Sequence, residues 1–285
     1  MATSDPTDGP SADQTDRPNR PEAILREARE ALRVERRRTV DEREAFETFR
    51  SRVRSIAAET STRRPQTTAP SPLRRDTGAT GRGLVAVRNA YQETVMAVPH
   101  YDEEYNDTYE RSLAAEFGPE LAAALTREST LRERCRSSVL AKTDDAIASR
   151  EELLSVVESE SESVSRAAAD LVPVADELET FARTEFGDER FGTLDAYRAR
   201  LDVLADRCET VGTRRQRDRA DGERSASLDG TVSDVQTYLY QELPVTYPVL
   251  AAVAGVAGRI KSVRRDVERA MIYAEPGAKP PGEER

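Results

Sequence analysis

An apolar side chain recurs at every seventh position between residues 128 and 186, and that spacing constrains the fold more than any other feature of the chain. Val139, Ala146, Leu153, Ala167, Val174 and Phe181 form one row, interrupted only by Glu160, and Val157, Val164, Leu171 and Leu178 supply the companion positions. Such a 3.5-residue period describes one stripe of a helix, and a stripe of that length is buried only against another helix. The partner must come from the same chain or from a second copy. Pro173, which lacks an N–H, predicts a kink or break inside this helix, and Gly187 predicts its end.

The remaining segments repeat the same logic. Residues 21–58 read as one long N-terminal helix opened by Pro21. Its seam of Leu25, Ala28, Leu32, Phe46, Phe49, Val53 and Ile56 is apolar at both ends and polar at Glu35, Thr39 and Glu42. The middle is expected to stay helical in solvent, held by Arg37/Asp41, Arg38/Glu42 and Arg43/Glu47 at i,i+4, while the ends dock. Shorter helices are predicted at 84–98, 102–117 and 120–125. Thr193 reads as the N-cap of a helix carrying Leu194, Tyr197, Leu201, Leu204, Cys208 and Val211. A last helix begins near Pro248 and runs to about Ile272, with Val249, Val253, Val256, Ile260, Val263 and Val267 as its face. The 194–211 helix is the expected antiparallel partner of the long seam, because the connection between them is short. The run at 214–224 reads as polar and mobile. No segment reads as a strand, so the expected fold is all-α: long antiparallel helices with heptad seams, as a helical bundle or coiled-coil hairpin.

The low-apolar stretches divide the chain. Residues 1–20 are expected to be a disordered acidic tail, 59–82 a flexible Thr/Pro/Ser-rich linker, 83–273 the helical core and 274–285 a second disordered tail.

Of the 285 residues, 34% are charged and 37% hydrophobic, with a net charge of −10. The basic side chains are almost all arginine; Lys142, Lys261 and Lys279 are the only lysines. An acidic surplus with almost no lysine fits a protein working in concentrated salt. Carboxylates hold hydration there, and the weakly hydrated, bidentate guanidinium replaces the strongly hydrated ammonium. The charge is uneven, basic over 21–88 and strongly acidic over 89–211. Residues 1–21 contain no apolar run of the kind a secretory leader needs, so the cytoplasm is the expected location. PVLAAVAGVAG (248–258) is too short to cross a bilayer.

Two stretches, VERRRTVDEREAFETFRSRVRSI (34–56) and YLYQELPVTYPVLAAVA (238–254), resemble the opening and closing signatures of an uncharacterised family of haloarchaeal proteins, a domain of unknown function. The resemblance runs in order across about residues 21–273. It implies a halophilic archaeal source and one helical domain. It brings no activity and no functional residue.

No catalytic, cofactor-binding or metal-binding residue is assigned. His100 is the only histidine. It lies among Asp102, Glu103, Glu104, Asp107 and Glu110, without the ligand spacing of a zinc or EF-hand site, and reads as part of a solvated acidic turn. Tyr101, Tyr105 and Tyr109 at i,i+4 read as one face of a single helix. Gly78, Gly81 and Gly83 follow no strand and precede no GK[ST], so they do not form a phosphate loop. Cys135 and Cys208 have no metal spacing and read as buried free thiols. The basic runs Arg36-Arg37-Arg38 and 214–224 invite a nucleic-acid reading, but acidic residues interrupt both, and phosphate binding weakens steeply with salt. The chain is therefore expected to be a non-enzymatic interaction or scaffold protein, engaging a protein partner or itself through its seams. The alternative is a regulator that contacts nucleic acid through its arginine runs.

Overall fold

The computed structural model describes residues 20–58, 81–229 and 235–274. Among these there are nine helices and no strand: α1 (Pro21–Ser55), α2 (Arg82–Gln92), α3 (Tyr101–Glu104), α4 (Tyr109–Phe117), α5 (Pro119–Arg127), α6 (Glu133–Ala182), α7 (Phe191–Asp229), α8 (Val235–Leu239) and α9 (Pro248–Tyr273). The expected all-α architecture of long antiparallel helices is what the chain adopts. The predicted tail at 1–19, the linker at 59–80 and the tail at 275–285 lie outside the described residues. Arg82, placed in the linker by composition, is the first residue of α2.

The helices form two compact units. The first comprises the described residues between 34 and 158. Its core gathers Phe46, Phe49 and Val53 of α1, Val87 and Tyr91 of α2, Leu113 and Phe117 of α4, Leu131, and Val139 and Ile147 of α6. Aromatic rings meet at its centre. Phe49 and Phe117 stack at 6.1 Å, and Tyr91 meets Phe49, Tyr109 and Phe117 edge-on at 5.3, 5.8 and 5.7 Å. A chain so poor in aromatic residues places five of them together, and each brings a large apolar area to one core.

The second unit is built, among the described residues, from 20–33 together with those from 159 on. Contacts between α6 and α7 run in opposite order along the two helices. Phe181 packs edge-on against Tyr197 at 5.1 Å, Glu177 takes Arg200 at 2.6 and 2.8 Å, and Asp170 takes Arg214 at 2.6 Å. The pair is antiparallel, as the short connection predicts. On its other side α7 runs antiparallel to α9: Asp202 accepts from Arg264 at 2.6 Å, and the Cys208 thiol donates to the Val253 carbonyl at 3.4 Å. The first turns of α1 join this bundle by burying Leu25, Ala28 and Leu32.

Several boundaries differ from expectation, each for a local reason. The predicted 84–98 helix stops at Gln92, where Thr94 turns its hydroxyl onto the Ala90 carbonyl at 2.6 Å and a short 3-10 turn, Val95–Ala97, carries the chain to Pro99. The predicted 102–117 helix is two helices. Asn106 adopts φ 41°, and the Thr108 hydroxyl caps α4 by accepting from the Arg111 N–H. Tyr109 therefore does not share a helix face with Tyr101 and Tyr105. Pro173 does not break α6: it sits on the exposed face while Leu171, Val174, Ala175 and Leu178 beside it are buried. The helix ends at Ala182, not at Gly187. Thr193 is not a cap but lies inside α7, its N–H bonded to the Arg190 carbonyl.

The largest difference is at 214–224. That run continues α7 as helix to Asp229, because Arg214 and Arg215 are anchored on α6 and Arg219 lies over the Tyr247 ring at 4.4 Å. In α6 the seam passes from Leu153, half-buried, to Leu154, and in α9 Ala252 is buried where Val253 was expected.

Candidate functional site

Polar side chains at seam positions build two centres, one in each unit. In residues 34–158 the centre forms around Glu42. One helical turn apart on α1, Arg38 and Glu42 project to the same side, and Pro99 turns the chain so that His100, Glu104 and Tyr105 meet them. His100 Nε2 lies 3.2 Å from Glu42 Oε1, and the Tyr105 hydroxyl donates to the same oxygen at 2.8 Å. Arg150 Nε of α6 donates to Glu42 Oε2 at 3.1 Å, while its two terminal nitrogens form a fork on Glu116 of α4 at 2.6 and 2.9 Å. The Arg150 guanidinium also lies over the Phe46 ring at 4.8 Å. Arg38 closes the network by pairing with Glu104.

The middle of this centre is shielded from water, with the His100 side chain 7% exposed, Glu42 15% and Arg150 16%, while Glu104 and Tyr105 stand at its exposed edge. Burial opposes the charge on Arg150, but its hydrogen bonds to Glu116 and the fields of Glu116 and Glu42 outweigh that, so the guanidinium is held more firmly protonated than usual. Burial, then the charge of Glu42, pushes the Tyr105 hydroxyl well above the ordinary phenol range.

His100 is thus not in a solvated turn. It is buried, and its partner lies 58 positions earlier on another helix. Nor does the middle of α1 stand in solvent: Thr39 is buried, and Glu42 bonds to His100, Tyr105 and Arg150 instead of to Arg38. Glu42, His100 and Glu104 each offer a ligand atom, all within 4.8 Å of one another. A cation there would compete with Arg150 and Tyr105 for Glu42 and with Arg38 for Glu104. As built, the arrangement is a charge network that fastens the Pro99–Tyr105 turn to α1 and α6.

The second centre explains the break in the seam. Glu160 of α6 accepts a fork from Arg215 of α7, at 2.6 and 2.8 Å. Ser163 accepts a further bond from Arg215 at 3.0 Å, and the Tyr240 hydroxyl donates to Glu160 at 2.6 Å. The Glu160 and Arg215 side chains are only 10% and 5% exposed. Burial, then the charge of Glu160, raises the Tyr240 hydroxyl far above its ordinary value.

The other sequence features fall into place individually. Of the first basic run, Arg36 pairs with Glu158 and Arg38 with Glu104; of the second, Arg214 and Arg215 pair with Asp170 and Glu160. Gly81, at φ 88°, precedes α2, and Gly83 packs against Leu131, while Gly78 lies outside the described residues. Both thiols are free, but only Cys208 is buried; Cys135 is half-buried. No helix among the described residues is long and apolar enough to cross a membrane.

A family model, the domain of unknown function DUF7260, matches residues 23–264. The chain belongs to this family. The match spans α1 through most of α9 and takes in both polar centres. No curated protein and no solved structure matches the chain.

Proposed function

We propose that this member of the DUF7260 family is a non-enzymatic helical interaction protein, a scaffold in the cytoplasm of a halophilic archaeon. The observation that carries the reading is how the charged side chains are engaged. Four guanidinium groups of the two basic runs are turned onto carboxylates of the same chain, at Arg36–Glu158, Arg38–Glu104, Arg214–Asp170 and Arg215–Glu160, and the one histidine is bonded to Glu42. The acidic surplus and the near-absence of lysine support the halophilic assignment.

The test is light scattering coupled to size exclusion on the full chain in molar KCl, alone and after affinity purification from a halophilic host. An oligomer, or a stoichiometric complex with another protein, is the expected result. A monomer that instead retains nuclease-sensitive nucleic acid, released by salt, would replace the reading with that of a nucleic-acid regulator.

A further inference from the structure

Three large apolar side chains are exposed at one end of the second unit: Phe191 at 40%, Ile272 at 78% and Tyr273 at 83%. Their placement follows from the antiparallel pairing of α7 and α9. Asp202 of α7 meets Arg264 of α9, so the first turn of α7 and the last turn of α9 lie beyond that pair in the same direction, next to the turn Phe186–Asp188 on which α9 packs.

Charge at this end is not balanced. Arg183 and Arg20 share Glu179, and Arg269 is paired with Asp266. The carboxylates of Glu185, Asp188, Glu189 and Glu268 then outnumber Arg190 and Arg265. The exposed apolar area is on the order of a few hundred Å², the size that marks a binding patch. A second copy would set its acidic rim against this one, whereas a basic helix complements it.

We propose that this end of the bundle docks a basic amphipathic helix of a partner protein, its apolar face on Phe191, Ile272 and Tyr273 and its cationic flanks toward Glu185, Asp188 and Glu268. The proposal rests on the reading of the chain as an interaction protein and names its surface and the chemistry of its partner.

Calorimetric titration of the full chain, at the lowest KCl concentration that keeps it folded, tests this with two synthetic helices. Both are about 18 residues long with one apolar face; one carries lysine and the other glutamate on its polar face. The lysine helix should bind, and the double variant Ile272→Ser/Tyr273→Ser should lose affinity at least about tenfold while keeping its circular dichroism melt. The glutamate helix should not bind. Absence of binding by the lysine helix, equal binding by the double variant, or equal binding of both helices overturns the proposal. A protein complex still seen by light scattering after such a failure keeps the interaction reading and removes only this surface; a failure of both removes the two together.

Discussion

Glu160 and Arg215 meet in a two-bond fork, 2.6 and 2.8 Å, with their side chains 10% and 5% exposed. The pair occupies the one position where the row from Val139 to Phe181 is not apolar, and Tyr240 completes it at 2.6 Å. Breaking such a pair leaves a buried charge without its partner, which costs about 3–5 kcal/mol, whereas replacing both members by apolar side chains is often neutral or stabilising. Arg215→Ala should therefore lower the thermal midpoint sharply, and Glu160→Leu/Arg215→Met should recover most of the loss. Both are read by melting in constant KCl; equal midpoints for the Arg215→Ala and wild-type chains would contradict the role given to the pair.

Gly83 is fixed by packing. A Cβ built there would sit 2.8 Å from Leu131 Cβ, a buried residue with no room to withdraw. Gly83→Ala should cost about 1–3 kcal/mol by overpacking. At Gly258, in the middle of α9, a Cβ meets nothing within 4 Å, and Gly258→Ala should stabilise by roughly 0.5–1 kcal/mol. Opposite shifts in urea midpoint at unchanged slope are the expected readout.

Stability should fall at alkaline pH. Burial pushes the Tyr109 hydroxyl up to about 12 and raises Tyr91 and Tyr240 further. The fold thus favours the neutral phenols. Their contribution is complete below the unfolded value of about 10 and is lost as pH rises through 12 and beyond. A phenolate absorbance titration should show a late step that coincides with loss of helicity; full phenolate absorbance while helicity persists would exclude this linkage.

Low salt should also weaken the fold. Residues 89–211 carry a large acidic excess, and self-repulsion of like charges opposes compaction when ions are scarce. Buried forks such as Glu160–Arg215 are screened little, so added KCl should relieve the repulsion without dissolving them. Helicity by circular dichroism should decline on dialysis to low ionic strength and return with KCl.

Helix type and the apolar faces were readable from the residues alone, because period is a local property. Leu194, Leu201, Leu204, Cys208 and Val211 lie buried on α7 as their three-and-four spacing requires, and a short connection sufficed to pair α7 with α6. The polar seam positions were visible only as anomalies. Glu42, Thr39 and Glu160 broke their rows, and one rule would have flagged them: a polar residue at an interior position needs a partner. Thr39 finds its partner one turn back, on the Glu35 carbonyl at 2.9 Å, but for the two carboxylates it lies 55 and 108 positions away, Arg215 for Glu160 and Arg150 for Glu42. Spacing carries no information about such distant pairs. The same holds for 214–224, whose composition suits solvent or helix equally until α6 and Tyr247 are brought alongside. Local periodicity thus determined the helices and most of their buried faces. Only the assembled fold decided which charges were withdrawn from water, since that choice turns on which distant helices come into contact.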